Sequence, residues 1–232
     1  MRNFLILKDS DNKYSYRIMD NETELYYSPY IYDDIFLFEN KISDYLQKDL
    51  ALLQINNLYG VLDCWNNEII LNIMYNDIEL LELHNLYVFK TRTDYLDEHN
   101  QTDADGNLLV HSNYRLFHKT GSVVVDLDYS YIEWMGYYNS TYDYLFKVEI
   151  EEWDGFNAEY IYKVGVIDIK GKVIVAPNVK YEIDHFRVKD YVILMIETVD
   201  IANTTIITYD IYSSNGILLY ENISDYYFLY SK

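Results

Sequence analysis

The chain has 232 residues, half of them hydrophobic, with 28 Tyr, eight Gly, two Pro and one Cys. That is enough apolar material for a packed core and too little Gly and Pro for a disordered linker. The formal charge of −20 at pH 7 disfavours nucleic acid and anionic membranes as partners and favours a basic one, with solubility as the competing explanation for the charge.

The single cysteine, Cys64, leaves no internal disulfide and no Cys-based metal site. It falls in a turn, where a partly exposed structural thiol is expected. The apolar run at residues 4–7 is too short for a secretory segment. No stretch approaches the roughly 18 apolar residues of a membrane span. The expectation is a soluble cytoplasmic protein.

One pattern recurs along the chain. An anchor strand of the form Tyr-x-Val/Ile/Leu-x-Asp leads into a turn, and an apolar pair follows. The anchors are Tyr16 to Asp20, Tyr59 to Asp63, Tyr114 to His118, Val164 to Asp168 and Tyr209 to Ser213. The pairs are Leu25 and Tyr26, Ile69 and Ile70, Val123 and Val124, and Ile217 and Leu218, with the fourth copy running on within residues 164–177. Residues 164–177 are the best-preserved copy: two β-branched runs flank a break at Lys170 and Gly171, the sequence form of a β-hairpin. Asp168 is expected to close that turn.

Each anchor has an apolar strand before it, at residues 4–8, 50–55, 87–91, 144–150 and 191–197. Each also has a Tyr- and Asp-containing segment after it that turns apolar, at residues 33–38, 76–81, 131–135, 184–188 and 225–230. Every unit thus carries four short strands, a, b, c and d. The units fall at about residues 1–46, 47–85, 86–140, 141–188 and 189–232 of a single repeat domain. Residues 43–53 are the best helical candidate and are short. The fold class is all-β. Four-stranded units of this length are the size of β-propeller blades, so the preferred architecture is a small five-bladed β-propeller. The alternative is an open stack of β-hairpins forming an elongated twisted sheet.

At the anchor hairpins the sequence resembles the bacterial WG repeat family. There a Trp/Tyr-Gly-Val-Ile-Asp strand meets a Gly turn, then an Ile-Ile-x-Pro run and a Tyr-Asp-x-Ile segment. Residues 164–177, Tyr59 to Asp63 with Tyr75 to Ile78, and Tyr32 to Ile35 carry the resemblance. Gly60 and Gly165 keep the family's Gly, while the family's Trp is Tyr in four anchors and Val in the fifth. The resemblance implies a repeat scaffold for binding and no catalytic residues. The anchor tyrosines Tyr16, Tyr59, Tyr114 and Tyr209 are expected to pack between blades.

The unit spacing varies mostly in the a–b connection. Its two longest copies, residues 92–113 and 151–163, are acidic. The first carries Asp94, Asp97, Glu98, Asp103 and Asp105 against Arg92, with Tyr95 among them. The second carries Glu151, Glu152, Asp154 and Glu159 against Lys163, with Trp153 and Tyr160. Shorter a–b connections add Asp9, Asp11 and Asp200 against Lys13. Acids around exposed aromatics, on connections held by a rigid scaffold, suit recognition of a basic protein. A surface that is acidic throughout is the competing explanation.

Other chemistry is weaker. Residues 103–107, Asp-Ala-Asp-Gly-Asn, resemble part of a calcium loop, but positions one and twelve would be Gln101 and Ser112, so an Asp-Gly turn is the better reading. His84, His99, His111, His118 and His185 show no zinc spacing. Trp65, in a turn, and Trp134, in a d strand, could bind or cap the core. No catalytic residue, cofactor or metal is expected. The function expected is a non-enzymatic protein-binding scaffold, most concretely a bacterial immunity protein neutralising a basic toxin. A carbohydrate-binding propeller is the first alternative; a nucleic-acid mimic and a hydrolase follow.

Overall fold

The computed structural model describes residues 2–224 apart from 21, 39–49, 84–85, 126, 138–143, 183–185, 190–191, 202–203 and 214. The described residues are all-β, with no helix among them, in five antiparallel sheets. It follows that no described helix is long and apolar enough to cross a membrane.

The first sheet is β1 (Arg2–Lys8), β2 (Tyr14–Asp20) and β3 (Thr23–Tyr27). The second is β4 (Asp34–Leu37), β5 (Leu50–Ile55), β6 (Leu58–Asp63) and β7 (Glu68–Tyr75). The third is β8 (Asp77–Leu83), β9 (Leu86–Leu96) and β10 (Val110–His118). The fourth is β11 (Tyr131–Tyr137), β12 (Tyr144–Asp154), β13 (Glu159–Asp168) and β14 (Val173–Asn178). The fifth is β15 (Phe186–Lys189), β16 (Val192–Ile201), β17 (Thr204–Ser213) and β18 (Leu218–Ile223).

The five anchors are β2, β6, β10, β13 and β17, and the apolar strand before each is its hairpin partner. The d strand, in contrast, does not join the a, b and c strands of its own repeat. β4 pairs with β5, β8 with β9, β11 with β12 and β15 with β16. Among the described residues, sheets two, four and five are therefore built as d-a-b-c and sheet three as d-a-b, with d taken from the preceding repeat, while sheet one is a-b-c. The third repeat's apolar pair forms only an isolated bridge, Phe117 to Val123, and no named strand. Residues 43–49 of the helical candidate lie outside the described residues, and 50–53 belong to β5. The fifth d segment, 225–230, is also outside them, as are His84 and His185.

The chain divides into two compact units: Met1–Ser112 with Leu116–Val123, and Asn113–Arg115 with Val124–Lys232. In the first, one core cluster joins sheets one and two through Tyr16, Ile18, Tyr32, Ile35, Ala51, Leu53 and Leu62. A second joins sheets two and three through Val61, Leu71, Tyr75, Ile78, Phe89 and Phe117. In the second unit, Leu145, Val164, Val166 and Val175 of sheet four pack with Ile193 and Met195 of sheet five. Alternation in each strand puts these residues on one face.

The tyrosine that recurs in these cores is not the anchor one. It is a tyrosine one to three residues before the d segment: Tyr32, Tyr75, Tyr129 and Tyr181 are all buried. Of the anchor tyrosines Tyr16 is buried, whereas Tyr59, Tyr114 and Tyr209 are half-buried. Cys64 corrects the expectation of a partly exposed thiol. It is 4% exposed and packs in the cluster with Tyr16 and Tyr32, because the turn after β6 folds back onto the first sheet's core.

The turn after an anchor packs on the apolar pair of the preceding repeat. A Cβ added to Gly121 would lie 2.6 Å from the Ile70 carbonyl oxygen, and one on Gly171 would lie 2.5 Å from that of Val124. Gly216 meets the Ile174 carbonyl in the same way. The glycines of these turns are thus the points where consecutive repeats touch.

Candidate functional site

Both long acidic connections extend the a and b strands as hairpins; the second is paired to its tip, whereas residues 97–109 of the first lie between β9 and β10 with one isolated bridge, Thr102 to Leu108. β9 and β10 carry the first, and β12 and β13 run in register from Leu145–Asp168 out to Asp154–Glu159. They belong to different compact units and are described separately.

In the β9–β10 hairpin two of the five acids, Asp94 and Asp97, turn inward. Asp94 accepts a hydrogen bond from Ser112 Oγ at 2.8 Å, and its carboxylate lies 3.1 Å from Arg92 Nε. Its backbone N–H donates to Asn76 Oδ1 at 2.9 Å. Asp97 is 5% exposed, lies 3.2 Å from His111 Nε2 and accepts from the Gln101 N–H. Tyr95 stacks on His111 with centroids 5.6 Å apart. Asp103 closes the tip turn by accepting from the N–H groups of Asp105 and Asn107, both at 2.9 Å. The Asn107 N–H, first among several donors, holds the Asp103 carboxyl below its usual range. Glu98, Asp103 and Asp105 are exposed. Leu96 and Val110 are exposed beside them, apolar positions that the acidic reading of this hairpin passed over.

The β12–β13 hairpin is more outward-looking. Trp153 and Tyr160 form a cross-strand pair in T-shaped contact, with centroids 5.0 Å apart, a geometry that stiffens a two-stranded ribbon. Glu151 accepts from Tyr162 Oη at 2.7 Å. Burial, reinforced by that bond, pushes the Tyr162 phenol up to about 12. Glu152 pairs with Lys163 across the strands. Asp154 Oδ1 accepts from the Phe156 N–H at 2.9 Å and Oδ2 from Asn157 Nδ2 at 2.7 Å. These two bonds, the Phe156 N–H first, hold its carboxyl below the usual range. Glu159 is exposed.

Sequence reading missed the residue at the tip. Phe156 is 95% exposed, in the turn that Asp154 closes. Its signal was present in Trp-Asp-Gly-Phe-Asn: an Asp that can cap a turn, followed by an aromatic in a turn with no core face to bury it. Replacing Asn157 with Ala removes one of the bonds on Asp154. Its carboxyl is then expected to titrate closer to the ordinary aspartate value, by side-chain carbonyl NMR, while Asp103 stays low.

Elsewhere in the first compact unit, a cavity of about 460 Å³ is lined by Phe38, Leu50, Leu80 and Tyr87, with Asp63, Glu68 and Lys119 also on its wall. Asp63 is engaged in its own turn, accepting from the N–H groups of Trp65 and Asn66. Trp65 is half exposed and Trp134 lies in β11. In the second unit Lys147 and Glu149 form a buried ion pair at 3.1 Å on one face of β12. Among the described residues no group of His, Cys, Asp and Glu is arranged to hold a metal ion.

No protein-family model, curated protein or solved structure matches the chain. What the chain does must therefore be argued from its own surface. What the surface of the β12–β13 hairpin presents is carboxylates fixed by turns and cross-strand partners, beside the solvent-exposed Phe156 ring.

Proposed function

We propose that the protein is a non-enzymatic binding scaffold for a basic protein, most concretely a bacterial immunity protein that occludes a toxin domain. On this reading it is a cytoplasmic relative of the WG repeat proteins, and its five sheets are the blades of a small propeller. The observation that carries the reading is the β12–β13 hairpin. Phe156 stands 95% exposed at its tip, the Trp153–Tyr160 pair stiffens its stem, and Glu151, Glu152, Asp154 and Glu159 surround them. A desolvated aromatic anchor ringed by charges of one sign is how a hairpin gains affinity from the ring and encounter rate from the charges. The partner surface it fits is an apolar pocket with a lysine- and arginine-rich rim.

The test is a pull-down with this chain from its source cell, in which capture of a basic protein is expected. Its binding is expected to weaken steeply between about 50 and about 500 mM NaCl. Replacing Glu151 and Glu152 with Gln and Trp153 with Ala is expected to abolish it while the fold is kept, because the exposed pairs those acids make contribute at most about 1 kcal/mol each and the Trp153–Tyr160 contact about 0.5–1.5 kcal/mol. Phe156→Ala alone is expected to cost at least about tenfold in Kd. Binding that ignores salt, or survives the triple substitution, overturns the reading.

A further inference from the structure

The core between sheets two and three is open on one side. Its buried residues are backed by partly buried ones, and four of these, Phe38, Leu50, Ile70 and Leu80, line the cavity of about 460 Å³. Protein interiors are close-packed, with few voids larger than a water molecule. A space of this volume behind an apolar wall is the size of a small-molecule site. Tyr87 adds a second ring to that of Phe38. All of the lining residues lie in the first compact unit.

Two turns carry the polar part of the wall. Asp63 and Glu68 are a cross-strand pair at the facing ends of β6 and β7. Asp63 is spent on its own turn. It accepts from the N–H groups of Trp65 at 2.8 Å and Asn66 at 2.9 Å, and from Asn66 Nδ2 at 2.8 Å. Lys119 comes from the turn after β10. Its backbone N–H donates to the Tyr87 carbonyl at 3.2 Å. Two residues on, Gly121 packs against the Ile70 carbonyl. The turn is thereby held by sheet three on one side and sheet two on the other. The Glu68 carboxylate and the Lys119 ammonium are exposed, and neither is engaged by another described residue. One unspent charge of each sign therefore stands on the wall of one apolar space.

We propose that this cavity binds a free aromatic amino acid. The ligand's side chain lies among Phe38, Leu50, Leu80 and Tyr87, where contact between rings favours an aromatic group over an aliphatic one. Its carboxylate pairs with Lys119 and its ammonium with Glu68. A ligand with only one of these charges leaves the other wall group without a counter-ion, which is the source of selectivity. A zwitterion is also a ligand that a chain of charge −20 does not repel at long range. The site lies in a different compact unit from the β12–β13 hairpin, and neither reading rests on the other.

The test is calorimetric titration of the full chain with L-tryptophan, with the thermal midpoint as a second readout. Binding is expected, with an upward shift of the midpoint. Tryptamine lacks the carboxylate and indole-3-propionate lacks the ammonium. Each is expected to bind at least about tenfold more weakly. Lys119→Gln is expected to raise the Kd for tryptophan by at least about tenfold and to leave that for tryptamine unchanged. Glu68→Gln is expected to do the same for tryptophan while leaving indole-3-propionate unchanged. Both side chains are exposed, so the midpoint without ligand is expected to stay at the parent value. No heat at millimolar tryptophan, the result if the chain itself fills the space, overturns the proposal. So does a Kd that ignores both substitutions, or tryptamine or indole-3-propionate binding as tightly as tryptophan.

Discussion

Gly171→Ala is expected to cost roughly 2–5 kcal/mol in urea unfolding of the second compact unit, whereas Gly106→Ala is expected to cost the first unit only about 1–2 kcal/mol. The two glycines have nearly the same backbone, φ +78° and +82°. The strain of forcing an L side chain into the left-handed region, about 1–2 kcal/mol, is therefore common to both. Their surroundings differ. A Cβ on Gly171 would lie 2.5 Å from the Val124 carbonyl oxygen and 3.1 Å from Val125 Cγ2, while one on Gly106 meets nothing within 4 Å. The first contact is with backbone, so relief requires moving one repeat away from the next, and overpacking of that kind adds about 1–3 kcal/mol. Equal losses at the two positions would mean that the turn at Gly171 does not bear on the preceding repeat.

Asp210→Ala is expected to destabilise the same unit by about 3 kcal/mol. Asp210 occupies the anchor position that holds Gly60 and Gly165 elsewhere, and it is 1% exposed. Its carboxylate pairs with Lys180 and accepts from Tyr181 Oη at 2.9 Å and the Asn222 N–H at 3.0 Å. Truncation leaves the Tyr181 hydroxyl with only Tyr212 Oη, 2.7 Å away, and leaves the Lys180 ammonium without its counter-ion. Burial pushes the Asp210 carboxyl up, but the bonds from Lys180, Asn222 and Tyr181 outweigh it and hold it below the usual range. Its folded value thus lies below its unfolded one. The stability it contributes is complete above the unfolded value and is lost as pH falls through the folded one. Lys180 is raised by the same partner, against the opposing effect of burial, so its share is present below the ordinary lysine value and lost only as pH rises through the folded value. The difference between the parent and Asp210→Ala should therefore hold through neutral pH and shrink in acid, by denaturant midpoints measured across pH. A difference that persists below the ordinary carboxylate range would mean that the charge is not what stabilises the network.

Much of the local structure was legible in the residues. All five anchors are strands, and the apolar runs before them are their hairpin partners, because β-branched alternation around a Gly- or Asn-containing turn has few other low-energy solutions. Asp168 closes its turn as expected, accepting from the N–H groups of Lys170 and Lys172. The candidate site was legible in part. Trp153 and Tyr160 do come together across a hairpin. Yet Asp94, Asp97, Asp103 and Asp154 are held by their own hairpins, and Phe156 was overlooked. Composition counts carboxylates without recording which N–H groups they accept from.

The sequence by itself determined the all-β class, the positions of the repeating hairpins and the acidic character of the two long ones. These depend on alternation and turn chemistry within about a dozen residues. Only the tertiary structure decided that the four described d strands join the next repeat's sheet, that Tyr32, Tyr75, Tyr129 and Tyr181 are recurring buried tyrosines, and that Cys64 is buried. An alternating strand states which of its faces is apolar but not which edge it will lie against. That choice is made by the path of the chain and by where the neighbouring repeat leaves backbone groups unpaired.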